Sequence, residues 1–215
     1  MNLLFLGDSI TDCDHCFTAD NLGNGYVHMI QKLLQERYEL SPVNIINGGT
    51  DGFTFPRIYR KWNTNWRGRS FDAVTVLAGI NDTGALMDSG NRQQYEALLG
   101  TCAEAVSSLL LGLSDSGCPN VFVLEPFLFC QPAYLLGWRD SLFDVRSAIC
   151  HAVDQAAVHF KNVGSPCKVK YLPTQQLLDQ AVSQYGLSSI TTDGIHLTAR
   201  GHFCLASYLS ARITA

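Results

Sequence analysis

A chain of 215 residues is long enough for one well-buried core and short for two, so a single domain over residues 1–215 is expected. Apolar residues make up 47% and charged residues 16%, a globular balance that excludes intrinsic disorder. The net charge is −4 and no basic run exceeds two residues, which argues against a nucleic-acid partner.

The chain opens with MNLLFLGDS, which lacks the basic region and cleavage site of a signal peptide and reads as a first buried strand, Asn2–Gly7. A helix follows in which Val27, Ile30, Leu34 and Tyr38 share one face. Pro42 introduces a second strand, VNIIN, that runs into NGGTDG, and Pro56 suits the first turn of a helix heading toward Trp66. FDAVTVLAG, Phe71–Gly79, is near-continuously apolar, as a central parallel strand should be. Residues 80–91 read as a loop. Asn91 then caps a long helix with Tyr95, Leu98, Cys102, Val106, Leu109 and Leu113 in register.

NVFVLEP is the fourth strand, and Asp140 is placed to cap a helix carrying Leu142, Ile149, Val153 and Phe160. KVKYLP is the fifth strand, followed by a helix near Leu177, Leu178 and Ala181 that Gly186 can close. The last helix starts at Thr198 and carries Ala206, Leu209 and Ile213. No apolar stretch approaches the ~18 residues of a membrane span, so no membrane association is expected. Strand–helix alternation of this kind predicts a parallel sheet covered on both faces, with sites in the loops beyond the strands' carboxyl ends.

Those loops hold the residues that matter. Ser9 follows the first strand, where a serine can cap a helix or, given a base, act as a nucleophile. Asp193 and His196 stand three apart in TTDGIHLTARGH, so one loop turn can aim the carboxylate at the imidazole. Gly52 in NGGTDG lets a backbone N–H approach a substrate, and Asn81 in GIND adds a donor amide at the same sheet edge. Each signal is weak alone. Together they supply every part that acyl transfer requires.

Other chemistries fit less well. Cys13 and Cys16 have the C-x-x-C spacing of a redox or zinc half-site, but no second Cys/His pair of ligand spacing accompanies them. His202 with His196 and Asp193 is a further, weaker metal reading. No G-x-S-x-G elbow, P-loop or G-x-G-x-x-G occurs. Asp8 and Asp82 flank the site residues, where hydrogen bonds that brace their loops are the expected use. The eight cysteines, scattered through helices and strands, read as reduced thiols of a cytoplasmic protein.

With these motifs in order from residue 7 to residue 202, the chain resembles the SGNH (GDSL-type) hydrolases. The resemblance implies a three-layer α/β/α flavodoxin-like fold around a five-stranded parallel sheet. It also implies Ser9, His196 and Asp193 as catalytic residues, with an oxyanion hole of the Ser9 and Gly52 N–H groups and the Asn81 amide. No cofactor or metal is implied. GDSITDC, GNGYVHMIQKLL, NGGTDG and GINDT look most like small bacterial carbohydrate esterases, including acetylxylan esterases, which act on O-acetyl sugars and often form homo-oligomers. After Asp82 the chain departs from that subgroup, reading TGALMDSG where an aromatic or arginine is common.

Three functions are therefore in play: a carbohydrate esterase on small acyl esters, a lipase-like or thioesterase acylhydrolase, and a non-catalytic module that grips an anion at a helix N-terminus. The loop from Phe127 to Arg139, with Phe129, Tyr134, Leu135, Leu136 and Trp138, reads equally as a sugar- or acyl-binding wall and as core or subunit packing. Trp62 and Trp66 share that ambiguity.

Overall fold

The computed structural model of the chain describes residues 1–38, 42–129 and 131–215, apart from the side chains of Arg37 and Tyr38. The proposed place of Tyr38 on its helix face and the state of Cys130 thus lie outside the described residues. Five strands, β1 (Asn2–Gly7), β2 (Asn44–Gly49), β3 (Ala73–Leu77), β4 (Asn120–Leu124) and β5 (Lys168–Leu172), form one all-parallel sheet in the order β2-β1-β3-β4-β5. Among the described residues eight α-helices connect and cover them: α1 (Ser9–Asp12), α2 (Tyr26–Tyr38), α3 (Phe55–Asn65), α4 (Ile80–Met87), α5 (Arg92–Asp115), α6 (Arg139–Asn162), α7 (Thr174–Tyr185) and α8 (Ala199–Ile213). This is the three-layer flavodoxin-like arrangement.

The strands are apolar throughout because both faces are covered, and the pleat divides their side chains between two cores. Leu4, Leu6, Val74, Val76, Val121 and Val123 meet α3, α5 and α6, with Trp62, Leu109 and Ile149 among the contacts. Leu3, Phe5, Leu77, Phe122 and Leu124 meet α2, α7 and α8, where Ile30, Leu178 and Leu205 are fully buried. Trp62 is 1% exposed and Trp66 8%, so both are core residues and neither faces a ligand.

Two elements differ from the sequence reading. Residues 80–87 form α4 and not a loop. Asn81, Asp82, Thr83 and Gly84 are poor helix formers, so burial of Ile80 and Leu86 decides the conformation. Asp140 does not cap α6; Trp138 occupies that position without a side-chain bond, and Asp140 sits in the first turn, where its charge suits the helix N-terminus. Among the described residues one helix is long and apolar enough to cross a membrane, contrary to the expectation from the apolar stretches of the sequence. By length and composition α5 qualifies, although its apolar stripe, Cys102, Val106, Leu109 and Leu113, packs into the core against α3 and α6.

After β1 the chain moves to β2 on one side of the sheet, then crosses to β3 on the other. That reversal opens a crevice at the carboxyl ends of β1 and β3. Ser9 leaves β1 there, and Asn81 leaves β3.

Candidate active site

The turn that presents Ser9 is held from several directions. Asp8 caps α1 by accepting the Ile10 N–H at 3.0 Å, and the Cys13 N–H closes the turn on the Ser9 carbonyl at 3.1 Å. Asn47, at the end of β2, donates its amide to the carbonyls of Thr11 at 2.7 Å and Leu22 at 2.9 Å. Ser9 is the first residue of α1, so its N–H has no helical partner, and it donates to no other described group.

His196 reaches Ser9 from the far end of the sequence. Its Nε2 lies 3.0 Å from Ser9 Oγ, and its Nδ1 lies 2.6 Å from Asp193 Oδ2. The other Asp193 oxygen accepts the N–H groups of Ile195 at 2.9 Å and His196 at 2.7 Å. Partial burial pushes the Asp193 carboxyl up, but the His196 ring and these two amides outweigh it and hold the group below the ordinary carboxylate range. An ionised Asp193 keeps the ring proton on Nδ1, which leaves Nε2 free to accept the Ser9 hydroxyl proton. The loop is itself anchored: Thr191 donates its hydroxyl to the His196 carbonyl at 2.8 Å, and the Phe129 N–H donates to the Gly194 carbonyl at 2.8 Å.

Residues 50–55 between β2 and α3 are fastened on three sides. Asp12 Oδ2 accepts the Asp51 N–H at 2.9 Å, Asn81 Nδ2 donates to the Phe53 carbonyl at 3.1 Å, and Asp82 accepts the Phe55 N–H at 3.2 Å. Gly52 sits between these ties at φ +68°, and its N–H donates to no described group. One proton of the Asn81 amide is committed to Phe53 and the other is available. Donors without a described partner thus follow β1, β2 and β3, at the same sheet edge as the Ser9–His196 pair. Asp12 and Asn47, which brace these loops, were missed in the sequence; the Asp12 position in SITD and the Asn-Gly-Gly ending of β2 were the available signals.

The acidic neighbours brace their loops as expected. Asp8 is 1% exposed; burial, with the nearby charge of Asp82 adding, outweighs the Ile10 hydrogen bond and pushes its carboxyl up to about 7. Burial likewise lifts Asp82 to about 6.

The metal reading and a redox role for Cys13 find no such support. His202 is buried, takes the Tyr26 N–H at 3.3 Å and meets Cys13 Sγ at 3.4 Å, so it is spent on packing and not directed at Asp193. Among the described residues no group of three or more His, Cys, Asp or Glu is arranged to hold a metal ion. Burial pushes the Cys13 thiol up to about 12, the opposite of a redox-active cysteine.

The aromatic loop divides between the two readings given above. Phe127 and Phe129 join the core beneath α7 and α8, and Leu135 is fully buried beside Leu128 and Leu142. Tyr134 and Leu136 remain exposed.

Comparison with known proteins fits this geometry. The model of the GDSL-like Lipase/Acylhydrolase family matches residues 5–202. An acetylxylan esterase of Geobacillus stearothermophilus is 23% identical over 209 residues, 95% of this chain and 90% of that protein. A crystal structure of the acetylxylan esterase Axe2 from that organism superposes with a TM-score of 0.78 at 23% identity, over 100% of this chain and 94% of the other. An alpha/beta hydrolase enzyme from the metagenome of Lake Arreo, Spain, superposes at 0.79 with 20% identity, over 99% and 94%. With the family model spanning nearly its whole length, the chain belongs to the GDSL-like lipase/acylhydrolase family and is a carboxylic ester hydrolase.

Proposed function

We propose that the protein removes small acyl groups, acetyl above all, from carbohydrate esters, with Ser9, His196 and Asp193 as catalytic triad. The observation that carries the triad is the continuous chain from Ser9 Oγ to His196 Nε2, 3.0 Å, and from His196 Nδ1 to Asp193 Oδ2, 2.6 Å. His196 takes the Ser9 proton as Ser9 attacks the ester carbonyl. The N–H groups of Ser9 and Gly52 and the Asn81 amide receive the oxyanion, and the alcohol leaves with the proton from His196. Water, deprotonated by His196, then attacks the acyl-enzyme and returns Ser9 to its resting state.

Two observations favour a short acyl group. A relative matched over 95% of this chain is an acetylxylan esterase. The bulky side chains best suited to a long acyl channel, Phe127, Phe129 and Leu135, are consumed by packing. Release of acetate from acetylated xylo-oligosaccharides, with p-nitrophenyl acetate strongly preferred to the octanoate, is the expected result. Equal or faster octanoate hydrolysis would move the assignment to lipid or thioester substrates.

A further inference from the structure

The segment Cys13–Cys16 is not used by the ester-hydrolysing relay. Cys13 and Asp14 turn the chain with φ of +41° and +60°, and His15–Phe17 follow as a short 3-10 turn. That fold lines up three side chains. Asp12 Oδ1 lies 2.8 Å from His15 Nδ1, and His15 Nε2 lies 3.5 Å from the Cys16 sulfur. A carboxylate on Nδ1 fixes the tautomer that leaves Nε2 to accept, and here Nε2 faces a thiol. Burial raises the Asp12 carboxyl, but hydrogen bonds from the His15 ring and the Asp51 N–H outweigh it and keep the group ionised well into acid.

Accessibility singles out the same residue. Of the described cysteines Cys16 is the exposed one; Cys102, Cys118 and Cys167 are buried, and Cys13, Cys150 and Cys204 are half-buried. The kind of electrophile follows from the donors nearby. Acyl transfer needs several converging N–H groups for an oxyanion, but the His15 N–H is committed to Asp12 and the Phe17 N–H to the Asp14 carbonyl, which leaves only the Cys16 N–H on this turn. Displacement at a disulfide sulfur develops no oxyanion and needs no such hole.

We propose that Cys16, His15 and Asp12 form a second nucleophilic relay, at which Cys16 exchanges with low-molecular-weight disulfides. His15 Nε2 takes the thiol proton, and the Cys16 thiolate attacks one sulfur of the small disulfide. The old S–S bond breaks as the new one forms, and the departing thiolate collects the proton from His15. Cys16 is oxidised to a mixed disulfide and half of the small disulfide is reduced to a free thiol. Asp12 shares its other oxygen with the Asp51 N–H, next to Gly52, so thiolation that disturbs His15 also loosens that loop. This coupling, unlike the exchange itself, rests on the reading of Gly52 as an oxyanion donor.

The test is brief exposure of the full chain to 2-hydroxyethyl disulfide, followed by intact mass, peptide mapping and ester hydrolysis. The first adduct is expected on Cys16, absent in Cys16→Ser, and slower by on the order of tenfold in His15→Gln and Asp12→Asn. Thiolated protein should lose ester turnover and regain it with dithiothreitol, while Cys16→Ser keeps its turnover under the same treatment. A first adduct on Cys130, Cys150 or Cys204, or an unchanged rate in His15→Gln, would overturn the relay. Thiolated protein with undiminished turnover would overturn the coupling. Because labelling is read by mass, it decides the relay even if the ester-hydrolase reading fails.

Discussion

Asn81 Nδ2 donates to the Phe53 carbonyl at 3.1 Å, so one proposed oxyanion donor is fastened to the loop that carries another, Gly52. Replacing Asn81 therefore removes a donor and loosens its neighbour. Asn81→Ala should lower kcat by on the order of 10²–10³, with KM little changed, as steady-state kinetics on p-nitrophenyl acetate will show. An equal fall in binding alone would mean that Asn81 holds the ground state and not the oxyanion.

Gly52→Ala separates loop geometry from contact. A Cβ at Gly52 would meet nothing within 4 Å, yet φ is +68°, where an L-residue pays roughly 1–2 kcal/mol. The loop is expected to relax its backbone, which turns the Gly52 N–H away. Turnover should drop at least about tenfold while the melting temperature moves only a few degrees.

Asp193→Asn tests the tautomer argument. An amide can offer its N–H to His196 Nδ1 and so favour the form with the proton on Nε2, which cannot accept from Ser9. Turnover should fall by about 10⁴ with far-ultraviolet circular dichroism unchanged. Turnover within about tenfold of wild type would show that Asp193 merely braces the loop through the amides of Ile195 and His196.

How much of this was legible in the sequence depended on whether the local chain or the fold decided each feature. Long apolar runs named the five strands, and Asn91 and Thr198 marked their helices because capping is local chemistry: each side chain accepts an N–H three residues on. The candidate site residues were picked out by position: Ser9, Gly52 and Asn81 follow the ends of β1, β2 and β3, and Asp193 and His196 lie in the segment before α8. Helix α4 was not, because its residues favour turns and only burial against α5 and α6 makes it helical. Asp12 also escaped notice; its bond to the Asp51 N–H crosses 39 residues, and no local pattern announces it. Trp62 and Trp66 could not be placed until the partner surfaces on α5 and β2 were known. In the structure a Cβ on Gly112 of α5 would overlap the Trp62 ring, and one on Gly48 of β2 would press on Trp66.

Gly112→Ala follows from that contact. The added methyl collides with a fully buried indole, so α5 and α3 must shift apart. A loss of about 1–3 kcal/mol in denaturant unfolding is expected, with ester turnover near normal at temperatures where the variant is folded. A neutral substitution would show that Trp62 has room to move.

Asp8 sets a pH dependence of stability. Its carboxyl titrates near 7 when folded against an ordinary value of 3.8, so the folded state holds a proton that the unfolded state has lost between those values. Stability from this group is greatest below about 4 and declines as pH rises to about 7. Asp8→Asn keeps a capping oxygen for Ile10 and cannot ionise. The variant should therefore be more stable than wild type at pH 8, by up to about 4 kcal/mol for a shift of three units, and the advantage should vanish near pH 4. A constant difference across that range would assign the effect to packing.

The central claim is that Ser9 is the nucleophile. Its most direct test is intact-mass analysis after treatment with a fluorophosphonate, with peptide mapping and p-nitrophenyl acetate turnover on the same sample. The account requires one adduct, on Ser9, formed in step with the loss of turnover and absent in Ser9→Ala. Undiminished turnover in Ser9→Ala, or an adduct on another residue that tracks inactivation, would contradict it.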